Sequence, residues 1–457
     1  MNDDELEARL RATLKARASS VSDSPDAWDG YAERTPIAST SASPAGRRMA
    51  LLGIAAAAAL IVFVVVRVTS SPSVKVTAVA PETTNTDTAV SAIPSTTVVP
   101  TTIPTPTTAP PSVPGPAGTP VPAHFAPTSV TFVSLHTGWV LGTAPCGLTN
   151  CEELLRTRDG GHTWVALPPP PVSVADRNAV QQRRVRFANL NDGWIYGPDL
   201  WVTHDGGATW KQPSAEGLSA DTRVMGLETD GALVHAVFIS TTTQVTIITS
   251  PVNRDAWRAA PVTIPIGAGP VPAAQLVVQG AGGWIIENDR TVVGGARLEN
   301  GKWVSWQPPC IDKGGVAIPT ASTQNDVVAV CNEGVWSGDT TNITQNVFVS
   351  SDGGTTFHET AAPVADNWQV DGVASAGPNT IVIAGIVNAS QVLEATFDGG
   401  HSWSAVYNAP ANGTWSDIGF TGPTQGIAIK HLEDGGQLLM TTDGGHTWNP
   451  VDFYAGH

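Results

Sequence analysis

Thr157-Arg158-Asp159-Gly160-Gly161-His162-Thr163-Trp164 decides the reading of this chain, because the phrase keeps returning. Close copies stand at Thr203–Trp210 (THDGGATW), Ser350–Phe357 (SSDGGTTF), Thr396–Trp403 (TFDGGHSW) and Thr441–Trp448 (TTDGGHTW). The shared pattern, S/T-x-D-G-G-x-S/T-W/F, keeps its internal spacing in all five. Its last residue falls at Trp164, Trp210, Phe357, Trp403 and Trp448, and Trp257 and Trp303 fill the one long gap. The steps are then 46, 47, 46, 54, 46 and 45 residues, which makes seven repeats, two of them degenerate. The phrase reads as a turn between strands. Gly-Gly supplies positive φ without steric cost, and the carboxylates of Asp159, Asp205, Asp352, Asp398 and Asp443 can accept backbone N–H groups of their own turn. The aromatic residue then opens the next strand as a buried anchor.

A period of this size implies one supersecondary unit per repeat, stacked on its neighbours. Upstream of several boxes stands a second phrase: apolar strand, polar turn, Gly-Trp, apolar strand. It is clearest at Val130–Gly142 (VTFVSLHTGWVLG) and Val185–Gly197 (VRFANLNDGWIYG), with a weaker copy at Val277–Ile286. Each unit thus offers about four short strands, the content of a propeller blade.

The boxes resemble the Asp-box, or BNR, repeats of sialidase-type β-propellers. The pairing of Gly-Trp phrase and box is most similar to the photosystem II assembly-factor-like propellers of bacteria. The resemblance covers about residues 125–457 and implies an all-β, single seven-bladed β-propeller whose boxes are structural turns at the blade periphery. Fold alone does not choose between enzymes and binders.

The chain divides by composition into 1–48, 49–67, 68–124 and 125–457. In the head, Leu6, Leu10 and Leu14, acidic residues at the start and Lys15 and Arg17 at the end predict a short helix near 3–18, followed by a disordered stretch. Met49–Val66 carries no charge and is bracketed by Arg47, Arg48 and Arg67. It is expected to span the membrane once as an uncleaved helix, with the N-terminus in the cytoplasm. The Pro/Thr/Ser-rich tract that follows cannot bury a core and is expected to be a semi-rigid extracytoplasmic stalk.

The repeat region holds 15 Lys+Arg against 30 Asp+Glu, nearly all of the net charge of −16. Such a balance speaks against nucleic acid. All four cysteines lie there in two local pairs, and Cys146–Cys151 and Cys310–Cys331 are the expected disulfides of an oxidising compartment. No metal-ligand spacing occurs and no cofactor is implied. Sialidase chemistry, as the resemblance implies it, needs three arginines, and no arginine follows Arg297. Another glycoside hydrolase would need only two carboxylates and stands as one alternative. A transmembrane signalling protein with a propeller sensor is the second. His162, His401 and His446 are read as surface turn residues.

Arg177, Arg183, Arg184 and Arg186, with Arg156 and Arg158 nearby, crowd the first two repeats of an acidic region. They form the candidate binding patch for an acidic partner. The expected role is a non-enzymatic module that binds or assembles envelope proteins, peptides or glycans from a plasma-membrane anchor. Ring closure is expected from face packing of the last blade on the first, since each blade is complete within its own period. The aromatic ladder belongs to the core, so Trp164→Ala should cost ~3–5 kcal/mol in denaturant unfolding. A Trp164→Ala protein of unchanged stability that had lost only binding would contradict that assignment.

Overall fold

The computed structural model describes residues 117–455 apart from short segments at 172–182, 215–222, 240–243, 263, 266–272, 290, 312–314, 334–343, 364–368, 388–389, 411–412 and 433–434. The predicted head helix, apolar span and most of the Pro/Thr tract lie outside the described residues. Among the described residues no helix is long and apolar enough to cross a membrane.

The described chain is all-β and forms seven sheets in sequence order, a seven-bladed propeller. Blade 1 comprises β1 (Ala126–Phe132), β2 (Gly138–Cys146), β3 (Thr149–Thr157) and β4 (Val165–Leu167). Blade 2 has three strands, β5 (Arg184–Phe187), β6 (Gly193–Tyr196) and β7 (Leu200–Thr203), with a single bridge from Val202 to Lys211 in the fourth place. Blade 3 holds β8 (Val224–Thr229), β9 (Leu233–Ile239), β10 (Gln244–Pro251), β11 (Arg258–Ala259) and β12 (Ile264–Pro265). Blade 4 is β13 (Ala273–Gln279), β14 (Gly282–Asp289), β15 (Thr291–Glu299) and β16 (Lys302–Trp306). Blade 5 is β17 (Val316–Ala321), β18 (Val327–Glu333), β19 (Thr344–Ser350) and β20 (His358–Glu359). Blade 6 is β21 (Gln369–Gly377), β22 (Thr380–Val387), β23 (Ser390–Thr396) and β24 (Ser404–Pro410). Blade 7 is β25 (Gly413–Phe420), β26 (Gly426–Leu432), β27 (Gly435–Thr441) and β28 (Asn449–Pro450).

The five boxes share one geometry. In the first, Asp159 Oδ1 accepts from Thr157 Oγ1 at 2.8 Å and Thr163 N at 2.9 Å, and Oδ2 accepts from Thr163 Oγ1 at 2.6 Å. Gly161 N donates to Thr157 Oγ1 at 2.9 Å. The same bonds centre on Asp205, Asp352, Asp398 and Asp443. Both glycines take positive φ, 74° and 92° at Gly160 and Gly161, which is why the pair recurs. The first glycine N–H then reaches the carbonyl of the other turn of its own blade: Gly160 to His136, Gly206 to Asn191, Gly353 to Asn325, Gly399 to Asn379 and Gly444 to Thr424. Each box therefore clamps the first–second strand turn to the third–fourth strand turn. The degenerate repeats solve the same problem otherwise. In blade 3, Ser250 Oγ accepts from Ala256 N, and in blade 4 a tight turn at Asn300 and Gly301, both at positive φ, joins β15 to β16. Trp257 and Trp303 are buried in their places on the ladder, as are Trp164, Trp403 and Trp448, while Trp210 and Phe357 are half-buried.

The Gly-Trp phrase has its own cause. Gly138, Gly193 and Gly426 lie opposite Phe132, Phe187 and Phe420, whose rings rest on them. A Cβ would meet those rings at 2.6, 2.5 and 2.7 Å, so no side chain fits. The tryptophan that follows packs between blades. Trp139 stacks on Phe187 with centroids 3.8 Å apart and planes 3° from parallel.

Closure uses no shared sheet. Val130, Val140, Leu155 and Trp164 of blade 1 share one apolar cluster with Ile427, Ile429, Leu438 and Met440 of blade 7. Phe453 joins the cluster, edge-on to Phe125 at 5.1 Å and to Trp164 at 5.3 Å. Tyr454 Oη accepts from Phe125 N at 3.0 Å and donates to the Pro122 carbonyl at 3.1 Å, so the C-terminal end clasps the entry to β1. Thr119, assigned by sequence to the tract, pairs with Ala166 on the outer strand of blade 1. Both expected disulfides are present, Cys146–Cys151 and Cys310–Cys331.

Gly193→Ala should destabilise the protein by ~1–3 kcal/mol through forced displacement of the Phe187 ring. Gly294→Ala is the control, because no atom lies within 4 Å of its added Cβ. Urea unfolding of the two variants checks this, and equal effects would contradict the close-approach account.

Candidate functional site

The first strands of successive blades pack against one another around the ring. Each has one edge without a strand partner, so its N–H groups need other acceptors. Neighbouring blades supply them. Asp371 of blade 6 accepts from Trp415 N of blade 7 at 3.0 Å, and Asp417 of blade 7 accepts from Val130 N of blade 1 at 2.9 Å. Ser129 of blade 1 accepts from Val185 N of blade 2 at 3.0 Å. Asp371 and Asp417 lie where the register of β21 and β25 shifts, and Asp417 takes φ 46°, a strained conformation for a residue with a Cβ.

On this scaffold sits a charged cluster formed by blades 7, 1, 2 and 3. Arg184 Nη1 donates to Asp417 Oδ1 at 2.9 Å and to the Thr128 carbonyl at 3.2 Å. Arg186, two residues on along β5, donates to Glu228 of β8 and lies against Tyr196. The Arg186 side chain keeps 31% of its surface open. Its Nε is buried and meets no hydrogen-bond partner among the described residues. His431 Nε2 is 2.7 Å from Ser416 Oγ beside the same cluster. Burial and the Arg184 charge hold the His431 imidazole below its ordinary value, against Asp417. Burial raises the Glu228 carboxyl, opposed by Arg186, and pushes the Tyr196 hydroxyl up to about 12. Burial alone would lower the Arg186 guanidinium, but Glu228, Tyr196 and Asp417 together raise it.

Blade 2 is cut low beside this cluster. Counted from Gly-Trp, blade 1 runs on to Cys146, whereas the second strand of blade 2 stops at Tyr196. The five-residue difference makes a step of roughly 17 Å at about 3.3 Å per residue. Arg183 fastens its floor. Its Nε and Nη2 grip Asp199 at 3.0 and 2.8 Å, and Nη1 lies 3.3 Å from Glu152 Oε1 on β3. Trp201 Nε1 also donates to Asp199, at 2.8 Å.

The sequence-predicted basic patch thus takes a different form. Arg183 is 8% exposed and shared between two carboxylates, Arg184 is paired with Asp417, and Arg186 with Glu228. These three are partnered with acids of four blades instead of forming a free basic surface, and Arg177 lies outside the described residues. Glu152, Asp199, Tyr196, Glu228, Asp417 and His431 went unread in sequence. The exposed His162, His401 and His446 fit their reading as turn residues, with His446 stacked on Phe397. Among the described residues no group of three or more His, Cys, Asp or Glu could hold a metal.

No protein-family model matches this chain, and no curated protein matches it. Solved structures that resemble it include YCF48 bound to D1 peptide, at 20% identity and TM-score 0.48 over 71% of this chain and 96% of that one. YCF48 from Cyanidioschyzon merolae matches at 16% identity and TM-score 0.47, over 71% and 98%. The GH74 enzyme of Niastella koreensis matches at 13% identity and TM-score 0.39, over 71% and 65%. Identities this low bear on fold alone, and the propeller is read here from its strands.

Burial pushes the Glu152 carboxyl up to about 7, against the pull of Arg183. A folded value above the unfolded one, near 4.5, means that folding favours the protonated acid. That contribution is full below about 4.5 and is lost as pH rises through 7. Stability should therefore fall between pH 5 and 8 by on the order of 2 kcal/mol from this group, and Glu152→Gln should flatten that slope. An unaltered slope in urea titrations of the variant would remove Glu152 as its source.

Proposed function

We propose that the chain is a membrane-anchored, extracytoplasmic propeller that binds or assembles envelope proteins, peptides or glycans without catalysing a reaction on them. The observation that carries this reading is the charged cluster contributed by blades 2, 3 and 7, in which the side chains of Arg184, Arg186, Glu228 and Asp417 all stay partly open. The charges of the cluster are mutually paired, so it suits a ligand that offers acceptors and donors together, such as a main chain or a sugar face. The anchor is the apolar run at 49–67, and the Pro/Thr tract holds the domain clear of the membrane.

The test is crosslinking capture by the full-length protein from its native membrane, read by mass spectrometry. The comparison is Arg186→Gln with Glu228→Gln, which removes both charges at once and leaves no orphaned partner. Envelope components captured by the parent and reduced roughly tenfold in a variant of unchanged melting temperature are the expected result. Equal capture by both would overturn the cluster as the site. Turnover of a cell-wall polysaccharide by the parent would overturn the non-enzymatic role.

A further inference from the structure

The two disulfides sit in opposite environments. Cys310 and Cys331 are wholly buried, packed with Ile286, Val292, Ala317 and Phe348 between blades 4 and 5. Cys146 and Cys151 are half-buried in the tip of the β2–β3 hairpin, among exposed Pro145, Gly147, Leu148 and Thr149. We propose that Cys146–Cys151 is a redox-sensitive tie that can be opened in the folded protein, that its opening loosens the seam between blades 1 and 2, and that Cys310–Cys331 stays closed throughout.

Access supports the first part. A disulfide is reduced by a thiolate that must reach one of its sulfur atoms, so a buried pair waits for unfolding and a half-buried pair at a loop tip does not. The incoming group is a dithiol. Its first thiolate bonds to one cysteine sulfur as the S–S bond breaks, and the departing sulfur takes a proton. Its second thiol then displaces that cysteine, leaving two cysteine thiols and an oxidised dithiol, two electrons transferred in all. Reclosing is also easy, because the residues are only five apart, against 21 for the buried pair, and a short loop has little entropy to lose.

Position supports the second part. Cys151 pairs with Ala144 and the next residue, Glu152, with Thr143, so the disulfide and the Arg183 anchor share one stretch of ladder. That stretch rises past the end of blade 2, whose hairpin stops at Tyr196 and Leu200. Beyond that height, among the described residues, the tip is held by its own ladder, the disulfide and the Glu152–Arg183 contact. Opening the disulfide frees the tip to twist, and Glu152 is then held less firmly against Arg183 and through it against Asp199 of blade 2. The ring itself has its own clamps and keeps its fold. None of this depends on the binding role proposed above.

The experiment uses the full-length protein in native buffer with graded dithiothreitol, alkylation, and peptide mass spectrometry. Cys146 and Cys151 should be alkylated at a dithiothreitol concentration roughly tenfold or more below that needed for Cys310 and Cys331, with the melting transition retained. Hydrogen exchange should then rise several-fold in 149–157 and 183–187 and not in blades 4 to 6. Cys146→Ser with Cys151→Ser should show the same exchange pattern without reductant. Simultaneous opening of both pairs, opening only on unfolding, or unchanged exchange after selective opening would each overturn the proposal.

Discussion

Each carboxylate of the five boxes holds at least three donors of its own turn, and that turn holds the other turn of its blade through one glycine N–H. The physical problem is general. Where four strands reverse three times, the turns leave backbone groups without ladder partners, and water competes for them. A carboxylate that accepts a hydroxyl and an N–H on one oxygen and a second hydroxyl on the other fixes the turn without help from the core. It also explains the titration of these residues. Asp352 and Asp398 are held well below the ordinary range by hydrogen bonds, and Asp443 falls to about 2 because its bonds to Thr447 and Thr441 outweigh burial. With the turns fixed, the aromatic residue ending each box is placed beside the blade interface, where Trp164, Trp403 and Trp448 are buried and Trp210 and Phe357 half-buried.

Closure of the ring follows from the same constraint at the inner edge. Seven first strands present unpaired N–H groups, and side chains from the preceding blade answer several of them. The contact from Asp417 to Val130 crosses the seam between the last and first blades just as that from Asp371 to Trp415 joins two internal ones. The seam thus behaves as an ordinary blade junction with an added clasp at Phe453 and Tyr454, and a strand shared between the chain ends is unnecessary. Asp417 accepts positive φ to make this contact, and the two donors it holds come from blades 1 and 2.

Much of this was legible in sequence, for reasons of distance along the chain. The boxes, the Gly-Trp phrases and both cysteine pairs involve residues within a few tens of positions, so their spacing carries the information. The number of blades followed from the aromatic ladder even where Trp257 and Trp303 stand without their boxes. The acids that pair with Arg184 and Arg186 were not legible, because they are remote along the chain. Asp417 is 233 positions from Arg184 and Glu228 is 42 from Arg186, and a periodic sequence contains many acids at comparable offsets. The low hairpin of blade 2 was hidden for another reason. Its repeat has the normal length, and the residues missing from β6 and β7 are spent in the connections on either side.

Under the binding role proposed above, the repeats also locate where a ligand would be discriminated. One end of the ring is built from five superimposable boxes, and a surface that repeats itself offers no unique set of contacts. The other end carries the hairpins between second and third strands, which differ: nine residues a side and disulfide-tied in blade 1, four in blade 2, seven in blade 7. Several irregularities of blades 7, 1 and 2 fall together there. Tyr196 and the fastening of Arg183 lie at the low hairpin, and the charged cluster, with strained Asp417, lies on the first strands beside it. In a chain with this much internal sameness, the blade that breaks the pattern is where recognition has room to act.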